Sequence, residues 1–272
     1  MSSVFHKFFF RFPKTLIHSI IILHLLSQEN LGASMPKIIA HRGASKEAPE
    51  NTLTAFSTAI FLQPNALEID VHLSKEGIPI VVHDGVFGRT TDGGFLQRTT
   101  ELTLNEIKAL DAGSWFDAHF LGENIPTLLE VLQLPRGAVD LMIEIKKDNS
   151  PAKEIATSVL AVLGKEKKGI LLGSFDPFIL QEILNQTTEY PVIGIVEEPH
   201  MLELFRKMGL KKLAIWYPLL DKQRIEQLHM EGIEVWTFTV DHPPFAQFLA
   251  SIGVDGIITN DPRGIKRLLS KP

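Results

Sequence analysis

Short apolar runs recur along the first half of the chain, and each runs straight into charge. Lys37 to Ala40 leads into His41-Arg42-Gly43, and Ala66-Leu67 into Glu68-Ile69-Asp70. Ile78 to Val82 leads into His83-Asp84, and Val139 to Ile143 into Glu144-Ile145-Lys146. Apolar, β-rich runs of this length predict buried strands. Charge at the ends of buried strands is costly unless it is paired or bound to a metal. Beyond residue 150 the pattern alternates between helical and strand periods. Helices are expected over 152–163, 177–186, 199–208, 221–231, 243–252 and 262–270, and strands over 169–174, 191–196, 212–216, 234–239 and 255–259. With the strands ending near His41, Asp70 and Glu144, this makes eight alternating units and predicts an α/β fold of the (β/α)8 TIM-barrel type. A doubly wound open sheet gives no reason for charge at so many strand ends. No glycine-rich dinucleotide fingerprint stands on a strand-to-helix turn.

The stretch between the first strands sets the expected geometry of a site. Pro49-Glu50-Asn51-Thr52 opens a helix whose apolar positions run from Thr54 to Leu62, with Asn51 or Thr52 as its cap. From Asp70 to His83 the chain reads as two strand-like arms around the turn signal Lys75-Glu76-Gly77. No helix fits between the arms, so they cannot be neighbouring parallel strands. A hairpin centred near Glu76 and Gly77 is expected to place position 83 opposite position 70. Residues 85–126, rich in glycine and threonine at their start, form an expected insertion that can wall a site, and Pro126-Thr127 opens a helix through Leu132.

Composition narrows the class. The chain has 272 residues, 44% of them hydrophobic, which suits one large barrel domain over 35–272. A net charge of -5 gives no phosphate-seeking basic surface, so nucleic acid is not an expected partner. There are no cysteines, so any metal must take oxygen or imidazole ligands. Residues 1–34 stand apart. Basic residues precede the apolar run Leu16 to Leu26, and small residues follow, in the order of a signal peptide. The run is short for a membrane span and holds two histidines. The other reading is an over-extended start, with translation from Met35 directly before the first strand. The first reading implies export or a periplasmic location; the second, the one favoured here, a cytoplasmic one.

Glu68 and Asp70 lie two apart on a strand and can both point inward. Glu144 arrives from the next barrel strand. Three converging carboxylates repel one another and hold protons unless a cation sits between them. A divalent metal is therefore expected. An ordinary salt-bridge layer with Arg42 and Lys146 is the alternative. Arg42 and Lys146 also suit an anionic oxygen group, with phosphate first among candidates. His41 and His83 flank it and can take and give protons near neutral pH. The remaining histidines, at 6, 18, 24, 72, 119, 200, 229 and 242, read as surface, core or leader.

Taken together, several stretches resemble the motif series of the glycerophosphodiester phosphodiesterase family, most closely its cytosolic bacterial members. They are His41-Arg42-Gly43, Pro49 to Thr52, Leu67 to Val71 with Lys75-Glu76-Gly77, and Pro79 to Asp84. They continue with Arg89 to Gly93, Ile125 to Leu128, Glu144-Ile145-Lys146, Trp236-Thr237 and Gly253 to Thr259. The resemblance covers about residues 37–268. It implies a TIM barrel with a small insertion. It also implies hydrolysis of glycerophosphodiesters, such as glycerophosphocholine or glycerophosphoethanolamine, to sn-glycerol 3-phosphate and an alcohol. By matching motif, His41 and His83 would be the general acid–base pair. Glu68, Asp70 and Glu144 would ligate one divalent cation, calcium or magnesium. Arg42 and Lys146 would hold the phosphate, and Glu50 and Asn51 would support the substrate site, Asn51 either on the phosphate or as a helix cap. Trp236 would wall the glycerol or headgroup side. The chain departs from the family where Trp-Thr-Val-Asn is common and Trp236-Thr237-Phe238-Thr239 stands here, which bears on pocket shape and headgroup preference. A related lipid-directed phospholipase would need an apolar, membrane-facing mouth; the insertion carries Phe87, Phe95, Trp115 and Phe116 among many polar residues, which favours soluble substrates. A barrel that only binds such diesters would be expected to have lost a histidine or an acid, and none is lost.

Overall fold

The structure is a computed structural model that describes residues 35–93, 97–164 and 168–269. The leader expected over 1–34 lies outside these residues. The apolar runs form strands β1 (Lys37–His41), β2 (Ala66–Leu73), β3 (Pro79–Val81), β4 (Asp140–Ile145), β5 (Ile170–Ser174), β6 (Val192–Val196), β7 (Lys212–Trp216), β8 (Glu234–Phe238) and β9 (Gly256–Thr259). The helices are α1 (Leu53–Leu62), α2 (Leu104–Lys108), α3 (Leu128–Leu132), α4 (Ala152–Leu163) and α5 (Pro177–Gln186), followed by α6 (Pro199–Lys207), α7 (Lys222–Met230), α8 (Pro243–Ser251) and α9 (Pro262–Leu269). All strands but β3 are parallel neighbours in sequence order, and β1 pairs with both β2 and β9. The sheet therefore closes on itself as a (β/α)8 barrel.

Strand periodicity sorts side chains into two layers. Leu67, Ile69 and Val71 of β2 and Leu141, Ile143 and Ile145 of β4 face the helices in the main core. Ile39, Ala66, Met142, Leu171, Ile193, Ile195, Ala214, Trp236 and Ile258 fill the barrel interior. The strands are buried on both faces and so read as near-continuous apolar runs. Moving up the interior stripes by two residues exchanges apolar for polar: Ile39 gives way to His41, Ala66 to Glu68 and then Asp70, Met142 to Glu144. The barrel plug thus becomes the floor of a polar mouth.

β2 is the long strand. Its first half pairs with β1 and its second half with antiparallel β3, while β4 runs along its other edge. The hairpin therefore folds back over the rim and carries the chain after β3 to the mouth. Its register is one residue off the expected one. Leu73 pairs with Pro79 and Val71 with Val81, so Val82 stands opposite Asp70, with its N–H donating to the Asp70 carbonyl at 3.0 Å. The insertion carries its own small core of Ile80, Val82, Phe87, Ile107, Ala112 and Ile125. Thr103 and Thr127 close it at α2 and α3 as capping boxes with Glu106 and Glu130.

Candidate active site

His41 ends β1, and its neighbours take an unusual backbone. Arg42 and Asn51 both sit at positive φ, 57° and 58°, and the Asn51 N–H donates to the Arg42 carbonyl at 3.0 Å. Such a conformation costs an arginine on the order of 1–2 kcal/mol. In return the Arg42 N–H donates to Glu68 Oε2 at 2.9 Å while its guanidinium reaches Glu50 and Asp70. Gly43 follows at φ 86°, and a Cβ there would meet the Ala55 backbone at 2.7 Å, so only glycine lets α1 approach this turn.

Glu68, Asp70 and Glu144 come together as expected. All three are buried, and each offers a carboxylate oxygen within 4.8 Å of the others. Arg42 Nε lies 3.1 Å from Asp70 Oδ2, Lys146 Nζ lies 2.8 Å from Asp70 Oδ1, and Lys146 also pairs with Glu144. Burial pushes the Asp70 carboxyl up, but Lys146 and Arg42 outweigh it and hold it well below the usual carboxylate range. Glu68 goes the other way: burial, then the charges of Asp70 and Glu144, hold it well above that range. Burial also raises Glu144, against the pull of Lys146, to about 7. Two cations thus face three acids, and Glu68 Oε1 is buried with no hydrogen-bond partner. An all-carboxylate donor set with an orphaned oxygen fits a hard divalent cation. The salt-bridge layer is present too, centred on Asp70 and reaching Glu144 through Lys146, but Glu68 has only the Arg42 N–H as a close partner.

The two histidines are held by different partners. Asn260, directly after β9, gives both N–H groups, backbone and side chain, to Asp241, each at 2.7 Å. Its Oδ1 must then accept, and it does so from His41 Nδ1–H at 2.7 Å and from the Ser45 hydroxyl at 2.8 Å. The proton of neutral His41 is thereby fixed on Nδ1, which leaves the Nε2 lone pair on the Glu68 side, 3.9 Å from Oε2. Burial, then the Arg42 charge, lowers His41 to about 4. His83 Nδ1 instead meets the carboxylate Oδ1 of Asp84 at 2.6 Å. Burial lowers His83 as well, while Asp70 and Asp84 oppose the shift. Arg89 grips Asp84 Oδ2 through Nε at 2.6 Å and Glu50 Oε1 through Nη2 at 2.6 Å. A continuous chain of charge thus runs from His83 through Asp84, Arg89 and Glu50 to Arg42.

His41, Arg42, Glu68, His83, Glu144 and Lys146 line one pocket of about 340 Å³ at the barrel mouth, walled by Phe175, Ile195, Glu197, Phe238 and Thr239. Glu50, Asn51 and Trp236 do not line this pocket. Glu50 is spent on Arg42 and Arg89. Asn51 neither caps α1 nor faces the pocket: Thr52 is the cap, and Asn51 Nδ2 donates to buried Asp70 Oδ2 at 2.8 Å. Trp236 lies one layer down, inside the barrel. Its Nε1 donates to Glu234 at 2.8 Å, and its ring occupies space that a Cβ on Gly256 would invade at 2.6 Å. Phe238, the last residue of β8, holds the wall position instead. Replacing Trp236 by alanine is expected to cost about 3–5 kcal/mol of stability while turnover by the folded protein stays near wild type, read by chemical denaturation and assay in parallel.

Sequence reasoning missed Asn260, Asp241, Arg89 and Glu197 as parts of the site. Asn260 carries the signal that exposed the others, a polar residue at the end of an apolar run. Arg89 lay in a motif stretch with no role given.

Comparison with known proteins agrees with this geometry. The family model described as the glycerophosphoryl diester phosphodiesterase family matches residues 41–263. The chain belongs to that family and shares its barrel. A glycerophosphodiester phosphodiesterase of Caldanaerobacter subterraneus subsp. tengcongensis is 34% identical over 252 residues, covering 86% of this chain and 98% of the relative. A putative glycerophosphodiester phosphodiesterase of Bacillus subtilis is also 34% identical, over 83% of this chain and 94% of its own. Among solved structures, an Oleispira antarctica phosphodiesterase in complex with the product sn-glycerol-3-phosphate superposes with a TM-score of 0.81 at 30% identity, covering 87% of this chain and 98% of that one. Among the described residues, no helix is long and apolar enough to cross a membrane.

Proposed function

We propose that this chain hydrolyses glycerophosphodiesters to sn-glycerol 3-phosphate and an alcohol, using His41 and His83 as an acid–base pair beside a divalent cation, calcium or magnesium. The observation that carries the reading is the meeting of both histidines, Arg42, Lys146, Glu68 and Glu144 in one pocket, with buried Asp70 within 4.8 Å of both acids. Glu68, Asp70 and Glu144 would hold the cation, which when bound supplies neutralisation of phosphate charge. Arg42 and Lys146 would hold the phosphate oxygens.

The unequal partners of the histidines assign their roles. His41, with a neutral amide at Nδ1, stays unprotonated and presents Nε2 as the base. His83, with the carboxylate of Asp84 at Nδ1, is the better holder of a proton and serves as the acid. His41 takes the proton of the glycerol 2-hydroxyl, and its oxygen attacks phosphorus. The bond to the alcohol oxygen breaks, and His83 gives that oxygen its proton. In the second half, now-neutral His83 takes a proton from water as the water attacks the cyclic phosphate. The bond from phosphorus to the 2-oxygen breaks, and His41 returns its proton to that oxygen. Single-turnover quenching followed by phosphorus NMR is expected to show a transient cyclic glycerophosphate. If label from heavy-oxygen water enters the product with no cyclic species at any time, direct attack by water replaces this route.

A further inference from the structure

The pocket contains one charge that none of the chemistry above uses. Glu197 directly follows β6 and lines the pocket beside Phe175, Ile195, Phe238 and Thr239. Every other charged lining residue is committed: Arg42 to Glu50 and Asp70, Lys146 to Asp70 and Glu144, and Glu68 to the Arg42 N–H. Around the same mouth, Arg89 is held by Glu50 and Asp84, and Lys147 Nζ by the carbonyls of Asp148 and Ser150. Among the described residues lining the pocket, Glu197 alone of the charged ones makes no hydrogen bond or ion pair. Its neighbour Glu198 pairs with His200 instead, 3.1 Å away, and does not line the pocket.

An unpaired carboxylate in a pocket that receives a phosphate diester repels the substrate, unless the substrate brings a positive group to meet it. The wall leading to Glu197 suits such a group. Lys146 Nζ stands 5.8 Å from the Phe175 ring centre, and Phe175 meets Phe238 edge-on at 5.9 Å between centroids. Lys146, Phe175 and Phe238 thus stand in a row of successive contacts, and Phe238 and Glu197 line the same pocket. Aromatic faces and a carboxylate together favour an organic ammonium.

We infer that Glu197, with Phe238, selects diesters whose alcohol carries a positive charge over those whose alcohol is neutral. The inference rests on the proposed phosphodiesterase reading and names the alcohol-side subsite of that pocket. An ammonium two carbons beyond the ester oxygen, as in ethanolamine or choline, lies along the aromatic wall with its charge toward Glu197. Beside Phe175, Ile195, Phe238 and Thr239, Glu197 is the one charged residue on this wall.

The test compares the full chain with Glu197→Gln and Glu197→Lys on glycerophosphocholine, glycerophosphoethanolamine and glycerophosphoglycerol. Glu197→Gln is expected to lower kcat/KM about 5- to 10-fold on the two cationic diesters, through KM, and to leave glycerophosphoglycerol unchanged or slightly improved. Glu197→Lys is expected to widen the difference, and added salt to narrow it. An equal change on all three substrates, or an unchanged ratio in both variants, overturns the assignment. Wild-type protein that turns over none of the three overturns the phosphodiesterase reading itself, which separates that failure from this one.

Discussion

Replacing His41 or His83 by alanine is expected to lower kcat by about 10³-fold or more in each case, with the fold and cation binding intact. Each histidine is bonded through Nδ1 to a residue outside the carboxylate cluster, His41 to Asn260 and His83 to Asp84. Removing either ring therefore leaves the Glu68–Asp70–Glu144 cluster with its own partners. The two losses are also expected to be far from additive, because the pair works as a unit across both half-reactions. Rapid-quench kinetics on wild type, both single variants and the double variant measure this. A double variant that multiplies the two single losses would mean independent roles and would count against a shared proton cycle.

The second large effect concerns the acids. Glu144 is held at about 7 and Glu68 well above its ordinary range, so near neutral pH the cation-free cluster carries protons. A cation needs both groups ionised. Binding of calcium or magnesium at pH 7 is therefore expected to release protons, and affinity is expected to rise as pH goes from about 6 to about 8. The sign is fixed by the direction of the shifts: raised carboxyls hold protons that the cation must displace. Calorimetric titration in buffers of different ionisation enthalpy gives the proton count directly. Saturating cation is expected to raise Tm, by about 2.7 kcal/mol of added stability at one hundred times Kd. Glu68→Gln is expected to abolish most of that gain and to lower turnover by about 10³-fold. Affinity that is flat across this pH range, with no proton release, would mean that the cation binds elsewhere.

The barrel was legible because both of its layers write themselves into the chain. Strands buried on two faces leave unbroken apolar runs, and the helices between them keep their own period, so most boundaries fall within one residue of the expected ones. The carboxylate cluster was legible for a related reason: a two-residue spacing on β2 and one neighbouring strand suffice to bring Glu68, Asp70 and Glu144 together. What escaped depended on how the chain is threaded. The hairpin register turned on whether the loop between the arms closes at Leu73 and Pro79 or one residue away, and Lys75-Glu76-Gly77 is compatible with either. Trp236 was expected to wall the glycerol or headgroup side, but it sits mid-strand, two residues before Phe238, and Gly256 opens room for the indole below the mouth. Asn51 looked like a cap because it precedes a helix; its left-handed backbone turns it instead onto Asp70, beyond that helix on β2. Asn260 follows β9 and meets His41 only when the barrel closes between β9 and β1, while Asp241 reaches Asn260 from the loop after neighbouring β8.

The central claim, that this pocket hydrolyses glycerophosphodiesters with the help of a bound cation, is tested most directly by following sn-glycerol 3-phosphate release from glycerophosphocholine by the purified full chain. The assay is run after EDTA treatment and again after calcium or magnesium is restored. The account predicts no release with EDTA, recovery with the cation, and no recovery in His41→Ala or His83→Ala. Folded, cation-loaded protein that releases no glycerol 3-phosphate from this or any other glycerophosphodiester would contradict it.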